Sequence, residues 1–215
     1  MPGGLRLGPV AVAAAALAVG VPSAAYATSF PVTVWGSSVA ATYGFTATVV
    51  SPGATFALSG ANVTCGVSAM SGAGDTVTAG SLVDPVLSFG AVSFGVCTSG
   101  SAVTLLSTGH FVADSGVTPG SDAVVGRATD LTAKFTAAVP ALCTYIVSGE
   151  ADATYNEATG ALAIAETGFT GDVEVVSVTG CGGLVSVGDP MNIAATYRLG
   201  AVGGTGFVAN AINIG

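Results

Sequence analysis

Alternation of apolar and polar side chains is the dominant pattern of this chain. From Thr129 to Val139, Leu131, Ala133, Phe135, Ala137 and Val139 fall on one side, and Asp130, Thr132, Lys134 and Thr136 fall on the other. A period of two sends successive side chains to opposite faces of an extended strand, so this segment predicts a strand with one buried and one wet face. The same period runs through Phe45, Ala47 and Val49 against Thr46 and Thr48, and through Val173 and Val175 against Asp172 and Glu174. It returns in Ile193, Ala195, Tyr197 and Leu199 against Asn192, Ala194, Thr196 and Arg198. Val86 to Val96 and Leu142 to Val147 are more uniformly apolar, and burial on both sides is expected there.

Turn-forming residues punctuate these runs: Ser-Pro-Gly at 51–53, Ser-Gly-Ala-Gly-Asp at 71–75, Pro-Gly-Ser-Asp at 119–122, Ala-Thr-Gly at 158–160 and Gly-Asp-Pro at 188–190. Beyond the first segment no stretch sustains a helical period, and Gly, Thr and Val stand where helices favour Glu, Lys and Leu. Short strands at this spacing predict an all-β fold, either an antiparallel β-sandwich or a Greek-key-like barrel. Residues 108–124 are the least strand-like. They are expected to form a loop between two similar halves, although residue identity between the halves is low.

Residues 1–27 follow a different plan. Arg6 precedes an apolar stretch from Val10 to Val21, then Pro22, then Ala25-Tyr26-Ala27. That is the three-part layout of a secretory signal helix, cleaved before Thr28, and the run is shorter than the ~20 apolar residues a membrane anchor needs. The expected organisation is a signal peptide over 1–27 and a single β-rich domain over 28–215. No transmembrane helix is expected in the mature chain.

Export places Cys65, Cys97, Cys143 and Cys181 where disulfides persist. Four cysteines allow three connectivities. The separations within each half are similar, and they favour 65–97 and 143–181, each loop contributing roughly 3.5–4 kcal/mol on a chain-entropy argument. A zinc site would require a C-x-x-C pair or several histidines, and the chain has one histidine, so no metal is expected.

Charge narrows the function classes. With 4 Lys and Arg against 12 Asp and Glu, the formal charge of −8 repels nucleic acid. The 51% apolar content argues against disorder. G-x-S-x-G, S-x-x-K and H-E-x-x-H motifs are absent from the sequence. A Ser-His-Asp set could still assemble from His110, Asp114 and a serine. Paired carboxylates, such as Glu150 with Asp152 and Asp172 with Glu174, sit two apart on strands and so share the solvent face, where they serve solubility; Glu157, Glu166 and Asp189 are assigned to the surface with them. Glu150, Asp152, Asn156 and Glu157 supply oxygen atoms but not the spacing of a calcium loop. Trp35, the sole tryptophan, and His110, the sole histidine, are the candidate binding residues. No cofactor is implied.

The cysteine-bearing segments, taken together, carry a resemblance. Asn62-Val-Thr-Cys65, Phe94-Gly-Val-Cys97, the Tyr155-Asn…Thr159-Gly-Ala-Leu162 turn and Gly180-Cys181-Gly-Gly-Leu184 resemble a family of small exported actinomycete proteins of unknown function. Members often carry a Trp in the middle region, where this chain has Phe111 and Phe135. The resemblance implies export and a β-rich, disulfide-held fold, and transfers no catalytic residue.

These observations favour a secreted or cell-surface β protein without catalysis, a binding or structural module for an extracellular ligand or cell-envelope component. Two alternatives stand beside it. A mean hydropathy of +0.77 motivates an envelope β-barrel channel, and an extracellular hydrolase is the third. Exposed strand edges and sparse charge also predict self-association.

Overall fold

Neighbouring segments of the sequence pair with one another, and the last long strand pairs with the first. The computed structural model describes residues 32–34, 41–58, 61–76, 85–107, 109–114, 122–137, 143–201 and 212–214. Its strands are β1 (Val32–Val34), β2 (Ala41–Val49), β3 (Ala54–Leu58), β4 (Ala61–Thr76), β5 (Leu87–Cys97), β6 (Ala102–Leu105) and β7 (His110–Ala113). They continue as β8 (Ala123–Thr136), β9 (Thr144–Asn156), β10 (Ala161–Glu166), β11 (Val173–Thr179), β12 (Met191–Ala201) and β13 (Ile212–Ile214). The expected leader, residues 1–27, and Trp35 lie outside the described residues.

Eight staves close an antiparallel barrel. The first is β2 followed by β3, which lie end to end between β4 and β12. β4 and β5 are the second and third, β6 followed by β7 the fourth, and β8 and β9 the fifth and sixth. β10 followed by β11 is the seventh, and β12, the eighth, pairs back with the first. Of the two architectures the sequence allows, a closed barrel is the one formed; its staves run in sequence order, so they connect up-and-down and not as a Greek key. β1 and β13 make a separate two-stranded ribbon, Val32 opposite Ile214.

A single sheet closed on itself has one inner face, and eight strands leave an interior that side chains nearly fill. Burial therefore alternates. In β8 Ala133 and Phe135 face inward while Lys134 and Thr136 are exposed, and in β12 Ile193, Ala195, Tyr197 and Leu199 are all buried. The expectation that Val86 to Val96 is buried on both sides is corrected by this geometry. Leu87 and Phe89 are buried, but Ala91 and Ser93 are exposed and Val96 is 83% exposed, because among the described residues no second layer covers the outside of β5. Closure gives each stave a partner on both sides, which narrows the strand-edge argument for self-association to the sparsely paired third and fourth staves and the ribbon.

Three staves are broken in the middle, and each break has a local cause. Ser51-Pro52-Gly53 interrupts the first, where Gly53 donates to Val50. The fourth is interrupted over residues 106–109, opposite a bulge in β8 where Asp130 takes a φ of 55°. The seventh breaks over residues 167–172, opposite Gly149 at φ 154°, where a Cβ would collide with the Asp172 carbonyl. The segment 71–75, expected as a turn, is instead the interior of β4. Its glycines serve close packing: a Cβ on Gly72 would lie 2.6 Å from the Phe45 ring.

The stretch 108–124, expected as a loop, contains β7, so His110 sits on a strand and not in a loop. The link between the fourth and fifth staves follows it. Both disulfides, Cys65–Cys97 and Cys143–Cys181, are formed. Each joins the second stave of a four-stave half to the third, at the barrel end opposite the chain's entrance into β2. The pairing favoured by spacing is the one present.

Candidate functional site

The lumen is built from the inward side chains of every stave. Phe56, Met70, Phe89, Val92, Phe94, Leu105, Leu131, Ala133, Val147, Ile164, Val173, Ile193, Ala195 and Tyr197 surround a cavity of about 60 Å³. Aromatic side chains plug it at the disulfide end. Phe56 meets Phe135 edge-on with ring centres 5.0 Å apart and Phe94 at 5.5 Å, and Phe135 stacks on Tyr145 at 5.0 Å. At the other end Phe45, Leu87, Phe111, Val124, Tyr155, Leu162 and Leu199 are fully buried. Between these plugs Ala133 and Ala195 leave the space that larger residues would fill.

Polarity in the lumen lining is low, and its one polar side chain, Tyr197, is paired. The Tyr197 hydroxyl lies 2.9 Å from Ser68 Oγ, both buried, and burial raises the Tyr197 pKa against the lowering effect of that bond. Burial pushes Tyr145 up to about 12. Both phenols are therefore neutral at physiological pH, and the cavity offers a ligand apolar contact rather than charge.

The candidate residue His110 lies on the outer face of β7. Its Nδ1 is 3.3 Å from Ser88 Oγ, directly across the β5–β7 ladder, and its Nε2 is 3.9 Å from Asp130 Oδ2. A Ser-His-Asp row thus exists, but with Asp130 in place of Asp114. Asp114 is held by Arg127, which also binds Glu150 at 2.8 Å; the hydrogen bond to Asp114 is the main reason the Arg127 pKa is raised. Sequence reasoning missed Ser88 and Asp130, because their neighbourhood depends on strand register and on the bulge.

Four carboxylates, Glu150, Asp152, Glu166 and Asp172, line an outer crevice of about 250 Å³ together with Arg127. Glu150, Asp152, Asp172 and Glu174 are exposed as expected. The surface assignment of Glu157 and Glu166 is corrected, since they are only 6% and 4% exposed. Glu166 closes the broken end of β10 and accepts a hydrogen bond from Thr170. Asn156 is used locally, its Oδ1 accepting from the Thr159 amide at 2.9 Å, and Asp189 caps its own turn by accepting from the Ser186 amide at 2.7 Å. Among the described residues no three His, Cys, Asp or Glu side chains converge to hold a metal ion, and no helix is long and apolar enough to cross a membrane.

Compared with protein families, with curated proteins and with solved structures, the chain matches none.

Proposed function

We propose that the chain is a secreted or cell-surface β protein that acts without catalysis, holding the apolar end of a small ligand in its lumen. The observation that carries this reading is the apolar cavity to which all eight staves contribute. The two disulfides accord with an oxidising compartment, and the leader pattern points the same way. A dry, apolar-lined space retains little water and gains by taking an apolar group. Self-association remains part of the proposal, supported by the exposed Val67, Val96, Leu184 and Val187 near the disulfide end.

Xenon is the direct probe of the lumen. Methyl NMR under xenon pressure is expected to show saturable shifts at Met70, Leu105, Val147 and Ile164, with Ala195→Leu, which fills the cavity, removing them. Shifts confined to surface methyls, or unchanged in a folded Ala195→Leu variant, would overturn the reading.

An envelope channel would need an apolar outer band and a polar passage. Here Thr46, Thr48, Lys134, Asp152 and Arg198 face outward, while the interior is apolar and plugged. The hydrolase reading has one observation in its favour, the Ser88–His110–Asp130 row. In a working triad the serine contacts Nε2 and the carboxylate binds Nδ1, whereas this row has the opposite order. A fluorophosphonate is therefore expected to leave Ser88 unlabelled; stoichiometric labelling that is lost in both Ser88→Ala and His110→Ala would put the hydrolase first.

A further inference from the structure

The lumen is plugged at both ends, yet four of its lining residues, Val92, Phe94, Leu105 and Leu131, are only half-buried. Three of them, Val92, Leu105 and Leu131, lie along the junction of the third and fourth staves with the fifth. β5 pairs with β6 only at Ser93–Thr104 and with β7 only at Leu87–Phe111 and Ser88–His110. Two further backbone bonds join these staves, Val86 to the Phe111 carbonyl at 2.9 Å and Phe89 to the Gly109 carbonyl at 2.8 Å.

Each lip of this gap carries an irregularity in its pairing. On the fourth stave, Leu106 donates to Thr132 across the fifth stave, and the Ser107 hydroxyl donates to the Asp130 carbonyl at the bulge. On β5 the register steps past Gly90, since Ser71 opposes Ala91 while Gly72 opposes Phe89. What remains is a depression of about 240 Å³ lined by Gly90, Ala91, Val92, Leu105, Leu106 and Ser107. Val92 and Leu105 line both this depression and the lumen, so the two spaces share a wall.

We propose that this gap is the way into the lumen, and that it admits a short alkyl chain whose polar end stays in the gap. The proposal rests on the lumen-binding reading above. Size selects the chemistry. An engineered dry cavity that holds benzene measures ~150 Å³, well above the 60 Å³ found here, so an alkyl tip fits where an aromatic ring does not. The gap is wider and includes Ser107 and exposed backbone at Gly90 and Ala91, a setting in which a hydroxyl or similar head group keeps its hydration.

The test uses 1-hexanol and the full mature protein, with exchange between free and bound states followed by methyl NMR. Ala91→Trp and Leu106→Trp each place a large side chain on an exposed lip, at residues that line the gap and not the lumen. Both are expected to slow association by tenfold or more and, because the head group sits in the gap they crowd, to raise Kd as well. Two folded Trp variants with parent exchange rates would overturn the side opening and leave lumen binding standing. No hexanol shifts at the lumen methyls of the parent protein would overturn both.

Discussion

A chain lacking both disulfides, with alanine at Cys65, Cys97, Cys143 and Cys181, is expected to lose about 7 kcal/mol of stability and to be largely unfolded at 37 °C. The loops closed span separations of 32 and 38 residues. Constraining loops of that length in the unfolded chain is worth about 3.5–4 kcal/mol each on a chain-entropy argument. A domain of this size has a total stability of roughly 5–15 kcal/mol, so losing both consumes most of it. In an all-antiparallel barrel closed between its first and last staves, many contacts are distant in sequence, and the disulfides shorten that search by joining the second stave to the third and the sixth to the seventh. Urea unfolding of each double variant and of the quadruple variant measures the terms separately. A quadruple variant that unfolds cooperatively within 2 kcal/mol of the parent would refute the argument.

Phe135→Ala is the second large effect, expected to cost about 3–5 kcal/mol. Phe135 is 1% exposed and central to the plug at the disulfide end, touching Phe56 edge-on and Tyr145 face to face. Truncation loses both ring contacts and leaves a void that rigid strands close only in part. At roughly 2–4 °C per kcal/mol for a domain of this size, Tm should fall by about 6–20 °C. Calorimetry reads this directly, and a fall below 3 °C would show that the plug repacks. The exposed neighbour Thr136→Ala, on the outer face, is the matched control and should change Tm little.

Much of the wall was legible in the alternation of residues. The inward set of β12, the Phe45 and Ala47 pair of β2 and the Ala133 and Phe135 pair of β8 are all buried as the period of two requires. Cysteine spacing also favoured the pairs that form. Glycine misled the reading, because the same residue that opens a turn also lets backbone or an aromatic ring approach a strand closely. Residues 71–75 were expected as a turn for that reason, yet Gly72 accommodates the Phe45 ring. The candidate site was far less legible. Met70, Phe89 and Leu105 meet around the cavity only once the sheet has closed, and Ser88 meets His110 only through strand register. Neither closure nor register is local information. Glu166 was assigned to the surface by its charge, but it follows Leu162 and Ile164 at the buried positions of β10 and accepts from Thr170 at the break before β11.

The β1–β13 ribbon pairs Val32 with Ile214, so a strand that precedes the eight-membered ring in sequence lies beside one that follows it. In a ring whose members contact only their neighbours, the choice of a first member carries no information about the finished object. Joining the ends across that ribbon and reopening the chain between the fourth and fifth staves would yield a circular permutant with the same neighbours throughout. Each cystine would still lie within one contiguous segment. The shape is thus indifferent to where translation starts, while the order in which its parts become available to pair is not.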